Sequence, residues 1–204
     1  MNEIIFGVSF SVAAYLVGAI PTAHILGRRA GLDIRSMGSG NVGALNALRS
    51  LGNSAAVFVF VVDIGKAALV MLGATVITDS VWIGYVVALA LMVGHNFPVY
   101  IGFRGGKGAA VMTGISFVVV PYLALLSFPV LLVGYFLFRS PVWAMFMTFI
   151  SINVLSIATG QPLLQVVLFI VLTLLVGATH LSRTFHSLWP AIKALNFRRI
   201  GHIE

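Results

Sequence analysis

Apolar runs separated by short polar loops organise the chain. Residues 4–26, 54–78, 81–93, 141–159 and 162–179 are rich in Val, Leu, Ile, Phe and Ala and carry very little charge. Crossing about 30 Å of hydrocarbon takes about 20 helical residues, so each run is expected to form a membrane helix. The first run is longer than the apolar core of a signal peptide, follows no basic segment, and ends at Arg28 and Arg29. It is therefore expected to stay as a helix. Residues 110–138 fit neither one comfortable span nor two full ones, and Pro121 and Pro129 interrupt them, since an interior proline costs a helical hydrogen bond and clashes with the preceding turn.

The cations resolve that segment. They fall in four groups: Arg28, Arg29, Arg35 and Arg49; Arg104 and Lys107; Arg139; and Arg183, Lys193, Arg198 and Arg199. Lys and Arg collect on the cytoplasmic side of membrane proteins. A single crossing by 110–138 puts Arg139 and the basic tail opposite the two earlier groups, whereas a hairpin of two short helices places every group on one side. The expected architecture is an all-α polytopic membrane protein of seven transmembrane helices, N-terminus out and C-terminus in. Glu3, the Asp79 turn and the Gly160-Gln161 turn then face outward. With no internal repeat, linker or low-complexity tract, residues 1–204 are expected to form a single domain.

Composition agrees. The chain is 60% hydrophobic and 8% charged, against about 25% charge in ordinary soluble domains, which excludes a water-soluble particle. The absence of cysteine excludes disulfides, thiolate catalysis and Cys-ligated zinc, and the five histidines lack metal-site spacing, so neither metal nor cofactor is expected. Twelve Lys and Arg against five Asp and Glu give a net charge of +7. In a membrane protein that balance points to anionic lipid or anionic substrates rather than nucleic acid.

Two loops carry candidate chemistry. Gly38, Gly40 and Gly43 stand within six residues, interleaved with Ser39 and Asn41 and followed by Arg49. Such a loop can turn several N–H groups toward one anion while the guanidinium grips it bidentately; a flexible connection near lipid headgroups is the plainer alternative. In the second loop, Arg104, Gly105, Gly106, Lys107 and Gly108 directly precede an apolar helix, where free N–H groups, the helix dipole and two cations favour an anion. No Ser or Thr follows Lys107, so this is not a P-loop. Positive-inside anchoring explains its cations but not its glycines. Asp63 and Lys66 lie at i and i+3 within one span, either as a structural ion pair or with Lys66 facing the cavity of the loop cations. His180 falls where the last apolar run ends. Asn153 and Gln161 read as packing or turn residues.

The segments Gly18-Ala19-Ile20-Pro21-Thr22 with Asp33 through Arg49, Asp63-Ile64-Gly65-Lys66, and Gly94-His95-Asn96-Phe97-Pro98 through Gly108 resemble, in order and spacing, those of the acyl-phosphate-dependent glycerol-3-phosphate acyltransferases of bacteria, the PlsY family. The resemblance covers essentially the whole chain and carries the same seven-helix, N-out arrangement. It implies transfer of an acyl group from acyl phosphate to the sn-1 hydroxyl of glycerol 3-phosphate, giving lysophosphatidate and phosphate, at the cytoplasmic face of the bacterial inner membrane, with membrane lipid as a further partner. It implies catalytic roles for Ser39, Arg49, Lys107 and His180. Substrate contacts are implied at Gly38, Gly40, Asn41, Gly43, Asn46, Lys66, Arg104, Gly105, Gly106 and Arg183, with Asp63 in support. Acyl phosphate is already activated, so positioning and electrostatic stabilisation suffice, with a substrate phosphate or His180 taking the hydroxyl proton. Leu45 stands where the family usually has Thr, Ala67 where it has Gly, and Arg183 where it has Asn. Those departures leave a non-catalytic homologue that binds phospholipid or acyl phosphate as the alternative. A small anion transporter would account for Lys66, but predicts broken or repeated halves that the sequence lacks.

Overall fold

The computed structural model describes residues 2–193, and those residues are helical apart from their turns. Arg198 and Arg199 of the basic tail lie outside them. The chain gathers into two compact units, Met1–Val119 and Val120–Glu204.

The first unit holds α1 (Asn2–Gly18), α2 (Thr22–Arg29), α3 (Ala44–Leu51), α4 (Asn53–Ile77), α5 (Val81–Asn96) and α6 (Ala109–Val119). The first apolar run is thus two helices rather than the one continuous helix expected over 4–26. Pro21 supplies no N–H and disfavours helical backbone at Ile20, so the chain turns between Gly18 and Thr22 before resuming. Long sides of α1 and α5 pack together, and α4 packs on α6 and α3. Glycine decides how closely: a Cβ on Gly18 would strike the Leu91 carbonyl, and one on Gly94 would strike that of Tyr15. Small residues at such crossings let helix backbones meet where lipid gives no hydrophobic incentive to associate. Tyr15 Oη then reaches past the end of α5 to donate to the Phe97 carbonyl at 2.8 Å.

On α4 the buried positions are Val59, Asp63, Lys66, Ala67, Met71 and Ala74, the three- and four-residue spacing of one helix face. The methyl of Ala67 faces Gly114 of α6, where an added Cβ would overlap both Ala67 and the Ile64 carbonyl.

The second unit holds α7 (Pro121–Leu126), α8 (Phe128–Phe138), α9 (Pro141–Ala158) and α10 (Leu163–Lys193). Both prolines of the ambiguous segment sit in the first turn of a helix, at the start of α7 and α8, where a missing N–H costs nothing. Asn153 ties α9 to α10, donating to the Phe149 carbonyl and to Thr173 Oγ1, both at 2.8 Å. Gln161 belongs to the turn before α10, its N–H bonded to the Ser156 carbonyl at 2.9 Å. The last helix runs well beyond residue 179, the expected end of its apolar run. Hydropathy marks where the bilayer ends, not where the backbone ladder stops.

Among the described residues, six helical stretches are long and apolar enough to cross a bilayer: Glu3–Arg29, Asn53–Ile77, Val81–Ile101, Pro121–Phe138, Pro141–Ala158 and Leu163–Phe185. The seventh expected segment, Ala109–Val119, has 11 residues, about 16 Å of helix.

Candidate active site

The loop between α2 and α3 is organised by Asn46. Its side chain is 1% exposed; Oδ1 accepts the Ser39 N–H at 3.0 Å, and Nδ2 donates to the carbonyls of Ile34 at 2.9 Å and Met37 at 3.0 Å. Both amide protons and one oxygen lone pair are thereby spent on the loop's own backbone. Gly38 has φ +54°, and a Cβ there would run into Asn46 Oδ1, so glycine is required both for conformation and for close approach. At the loop's start Asp33 caps a 3-10 turn over Ile34–Ser36, accepting the Arg35 N–H at 3.1 Å and meeting its guanidinium through two bonds of 3.0 and 2.8 Å. The hydrogen bonds from Arg35 hold the exposed Asp33 carboxyl well below the usual carboxylate range. His24 Nδ1 approaches the same carboxylate at 3.6 Å.

This framework presents Ser39 and Asn41, both half-buried, and leads through Gly43 into α3, which carries Arg49 on an exposed face. A Cβ on Gly43 would stand 3.0 Å from Asn41 Nδ2, and one on Gly40 the same distance from the Arg35 carbonyl. The glycines keep space beside the polar groups rather than merely loosening the chain.

The second loop folds back over the end of α5. The N–H groups of Gly106 and Gly105 donate to the carbonyls of His95 and Asn96 at 3.0 and 3.2 Å. Gly102 and Phe103 are both left-handed, at φ +72° and +62°, which makes the sharp reversal. Gly105, Gly106 and Gly108 are buried, Lys107 is half-buried and Arg104 is exposed, with α6 beginning directly afterwards. The two loops meet. Ile34 and Val42 of the first form a buried apolar cluster with Ala23, Ala47 and Val59, and Ile101 of the second packs against it.

Beneath them runs a buried polar network that the sequence showed only in part. Asp63 is 2% and Lys66 9% exposed. Lys66 Nζ lies 2.8 Å from Asp63 Oδ1, 3.0 Å from the Ile20 carbonyl and 3.4 Å from His95 Nδ1, and Thr22 Oγ1 donates to Asp63 Oδ1 at 2.9 Å. An ammonium has three protons, and here three acceptors surround it. The acceptors around Lys66 are thus all the protein's own, as a structural pair requires. Its Ile20 contact adds a second donor to a carbonyl at the Pro21 break that otherwise has only the Thr22 N–H, at 3.1 Å, in keeping with the demand that irregular backbone at membrane depth be satisfied internally. Two signals for the missed members were present: a charge pair in lipid demands more acceptors than one carboxylate offers, and His95 stands ten residues before Gly105 in the same glycine-rich segment.

In the second unit, His180 lies within the continuous α10 rather than at its end, edge-on to Phe146 with ring centroids 5.9 Å apart. Arg183 follows at i+3, the same helix face, and both are half-buried. Among the described residues no group of three or more His, Cys, Asp or Glu gathers to hold a metal.

Residues 8–188 match the family model described as glycerol-3-phosphate acyltransferase. The chain belongs to that family. A glycerol-3-phosphate acyltransferase of Thermus thermophilus is 40% identical over 167 residues, spanning 82% of this chain and 84% of that one; one of Clostridioides difficile is 39% identical over 134 residues, 63% of this chain and 66% of that one. The crystal structure of PlsY (YgiH), an integral membrane glycerol 3-phosphate acyltransferase, in its glycerol 3-phosphate form is similar with a TM-score of 0.83 and 32% identity, over 93% of this chain and 98% of that one. The same protein in its lysophosphatidic acid form matches with a TM-score of 0.80 at 33% identity, over 90% and 92%. With six bilayer-length stretches, this member of the acyltransferase family is a multi-pass integral membrane protein.

Proposed function

We propose that the chain transfers an acyl group from an acyl phosphate to the sn-1 hydroxyl of glycerol 3-phosphate, yielding lysophosphatidate and inorganic phosphate. The observation that carries this reading, beside family membership, is the meeting of two glycine-rich, cation-bearing loops on one apolar cluster. Two phosphate substrates call for two anion sites that adjoin. In the proposed step the hydroxyl oxygen attacks the acyl carbonyl, the carbon–oxygen bond to phosphate breaks, and the hydroxyl proton leaves to a substrate phosphate or to His180. Lys107 and Arg49 neutralise the phosphates; the Ser39 hydroxyl and Asn41 donate to phosphate or to the developing oxyanion; Arg104 and Arg183 add positive charge; and the N–H groups of Ser39, Gly40, Gly105 and Gly106, bonded within the protein, shape the two loops instead of meeting substrate. Because Asn46 is engaged with the loop backbone and Lys66 with Asp63, Ile20 and His95, both support the site rather than touch substrate.

The reading includes seven crossings, N-terminus out and C-terminus in, one working domain over 1–204, and a site open to the cytoplasm and to lipid in the bacterial inner membrane. Leu45 and Arg183 favour a second reading, a non-catalytic homologue that binds acyl phosphate. Ala67 favours neither, since Gly114 accommodates its methyl. The discriminating experiment is phosphate release by the purified protein in nanodiscs given acyl phosphate and glycerol 3-phosphate, with acyl thioester donors in parallel. Acceptor-dependent release with acyl phosphate alone is expected; binding of acyl phosphate without release establishes the second reading.

A further inference from the structure

His95 occupies a position that none of the proposed substrate contacts explains. Its side chain closes the last turn of α5, 7% exposed, with Nδ1 3.4 Å from Lys66 Nζ. A lysine nitrogen carries only protons, so Nδ1 accepts, and the ring proton rests on Nε2. The opposite edge of the ring bears on the glycine loop: a Cβ on Gly106 would collide with Nε2, Cε1 and Cδ2, and one on Gly105 with the His95 carbonyl. The Gly106 N–H is bonded to that same carbonyl at 3.0 Å. The imidazole is therefore clamped between a buried ammonium and the backbone one residue before Lys107.

We infer that His95 is a positioning residue: oriented by Lys66, its ring is the template on which Gly105 and Gly106 lie, and it thereby sets where Lys107 meets a substrate phosphate. The inference rests on the acyltransferase reading for its kinetic consequence but not for its geometry. Lys66 gains a reason to be buried where it is, since one ammonium orients the second loop through His95 and fixes the α1–α2 break through Ile20. Removing Lys107 removes the object that His95 positions.

The test compares wild type with H95L and H95A, which delete the acceptor, and H95N, which retains one near the Nδ1 position. Expected for H95L or H95A is a KM for at least one phosphate substrate raised about tenfold with kcat within about threefold, and for H95N a KM within about threefold of wild type. In a K107A background H95L should change KM by less than about twofold, because residues acting on one contact are not additive. A second readout needs no turnover. The chain contains no cysteine, so Arg104→Cys is a unique maleimide target on the exposed part of the loop, and H95L or H95A should change its labelling rate at least about threefold through local opening. Wild-type KM in either folded variant, additivity with K107A, or an unchanged labelling rate overturns the proposal. An inactive wild type with an altered labelling rate overturns the functional reading alone.

Discussion

A single amide shows how a site can depend on a residue that never meets substrate. Asn46 holds the backbone at Ile34, Met37 and Ser39 at once, and the three bonds need both its acceptor and its donor. Asn46→Ala is expected to lower stability by about 1 to 3 kcal/mol through buried carbonyls and an N–H left unpaired. Asn46→Asp should be at least as harmful, because a carboxylate still accepts from Ser39 but sets charge against two carbonyl oxygens. Thermal unfolding in detergent measures both, and a tolerated Asp would show that the donor bonds do not matter. Arg49 and Lys107 are expected to behave differently. Losing a charge-assisted phosphate contact costs about 1.5 to 3 kcal/mol, so Arg49→Ala and Lys107→Ala should each cut kcat/KM more than about tenfold with little change in unfolding temperature. Arg198→Ala should change neither. Normal turnover in both folded variants would mean that the loops do not hold the phosphates.

At the scale of elements, the break between α1 and α2 and the charge pair on α4 explain one another. The break leaves the Ile20 carbonyl with only the tight turn bond from the Thr22 N–H at 3.1 Å, and an ammonium in lipid needs acceptors; Lys66 meets both needs by donating to Ile20 at 3.0 Å. Lys66→Met leaves Asp63 buried and uncompensated, and removing one partner of a buried pair costs about 3 to 5 kcal/mol. The double variant Asp63→Leu with Lys66→Met should recover much of that loss, since a buried pair replaced by apolar groups is often near neutral. Recovery should stay incomplete because the Thr22 hydroxyl loses its acceptor and the Ile20 carbonyl keeps only the Thr22 N–H. Complete recovery in an unfolding series would show that the break satisfies itself without α4.

For the whole molecule, the decisive prediction is sidedness. Single cysteines replacing Ser36 and Arg139, both exposed, should react with an impermeant maleimide only from the cytoplasmic side, and one replacing the exposed Asp79 only from outside. Ser140 adjoins Arg139 but is 2% exposed and would label poorly from either side. Outside labelling at Arg139 would mean that residues 110–138 cross once and that positive-inside bias was overridden. Much of this protein was legible in one dimension because the bilayer imposes a ruler on it. Apolar length determined the helices α4, α5, α9 and most of α10, the prolines marked the starts of α7 and α8, and residue type with spacing picked out both glycine loops and the Asp63–Lys66 pair. Other features are decided by partners distant in sequence. The carbonyl at Ile20 draws its second donor from Lys66, 46 positions away; Gly18 and Gly94 are needed only because α1 and α5 touch; and Asn46 and Lys66 turn inward because buried donors and acceptors must pair with whatever the fold brings beside them. Periodicity and composition report how each segment meets its solvent, but which polar atom meets which is a matter of three-dimensional proximity, and that only the tertiary structure decides.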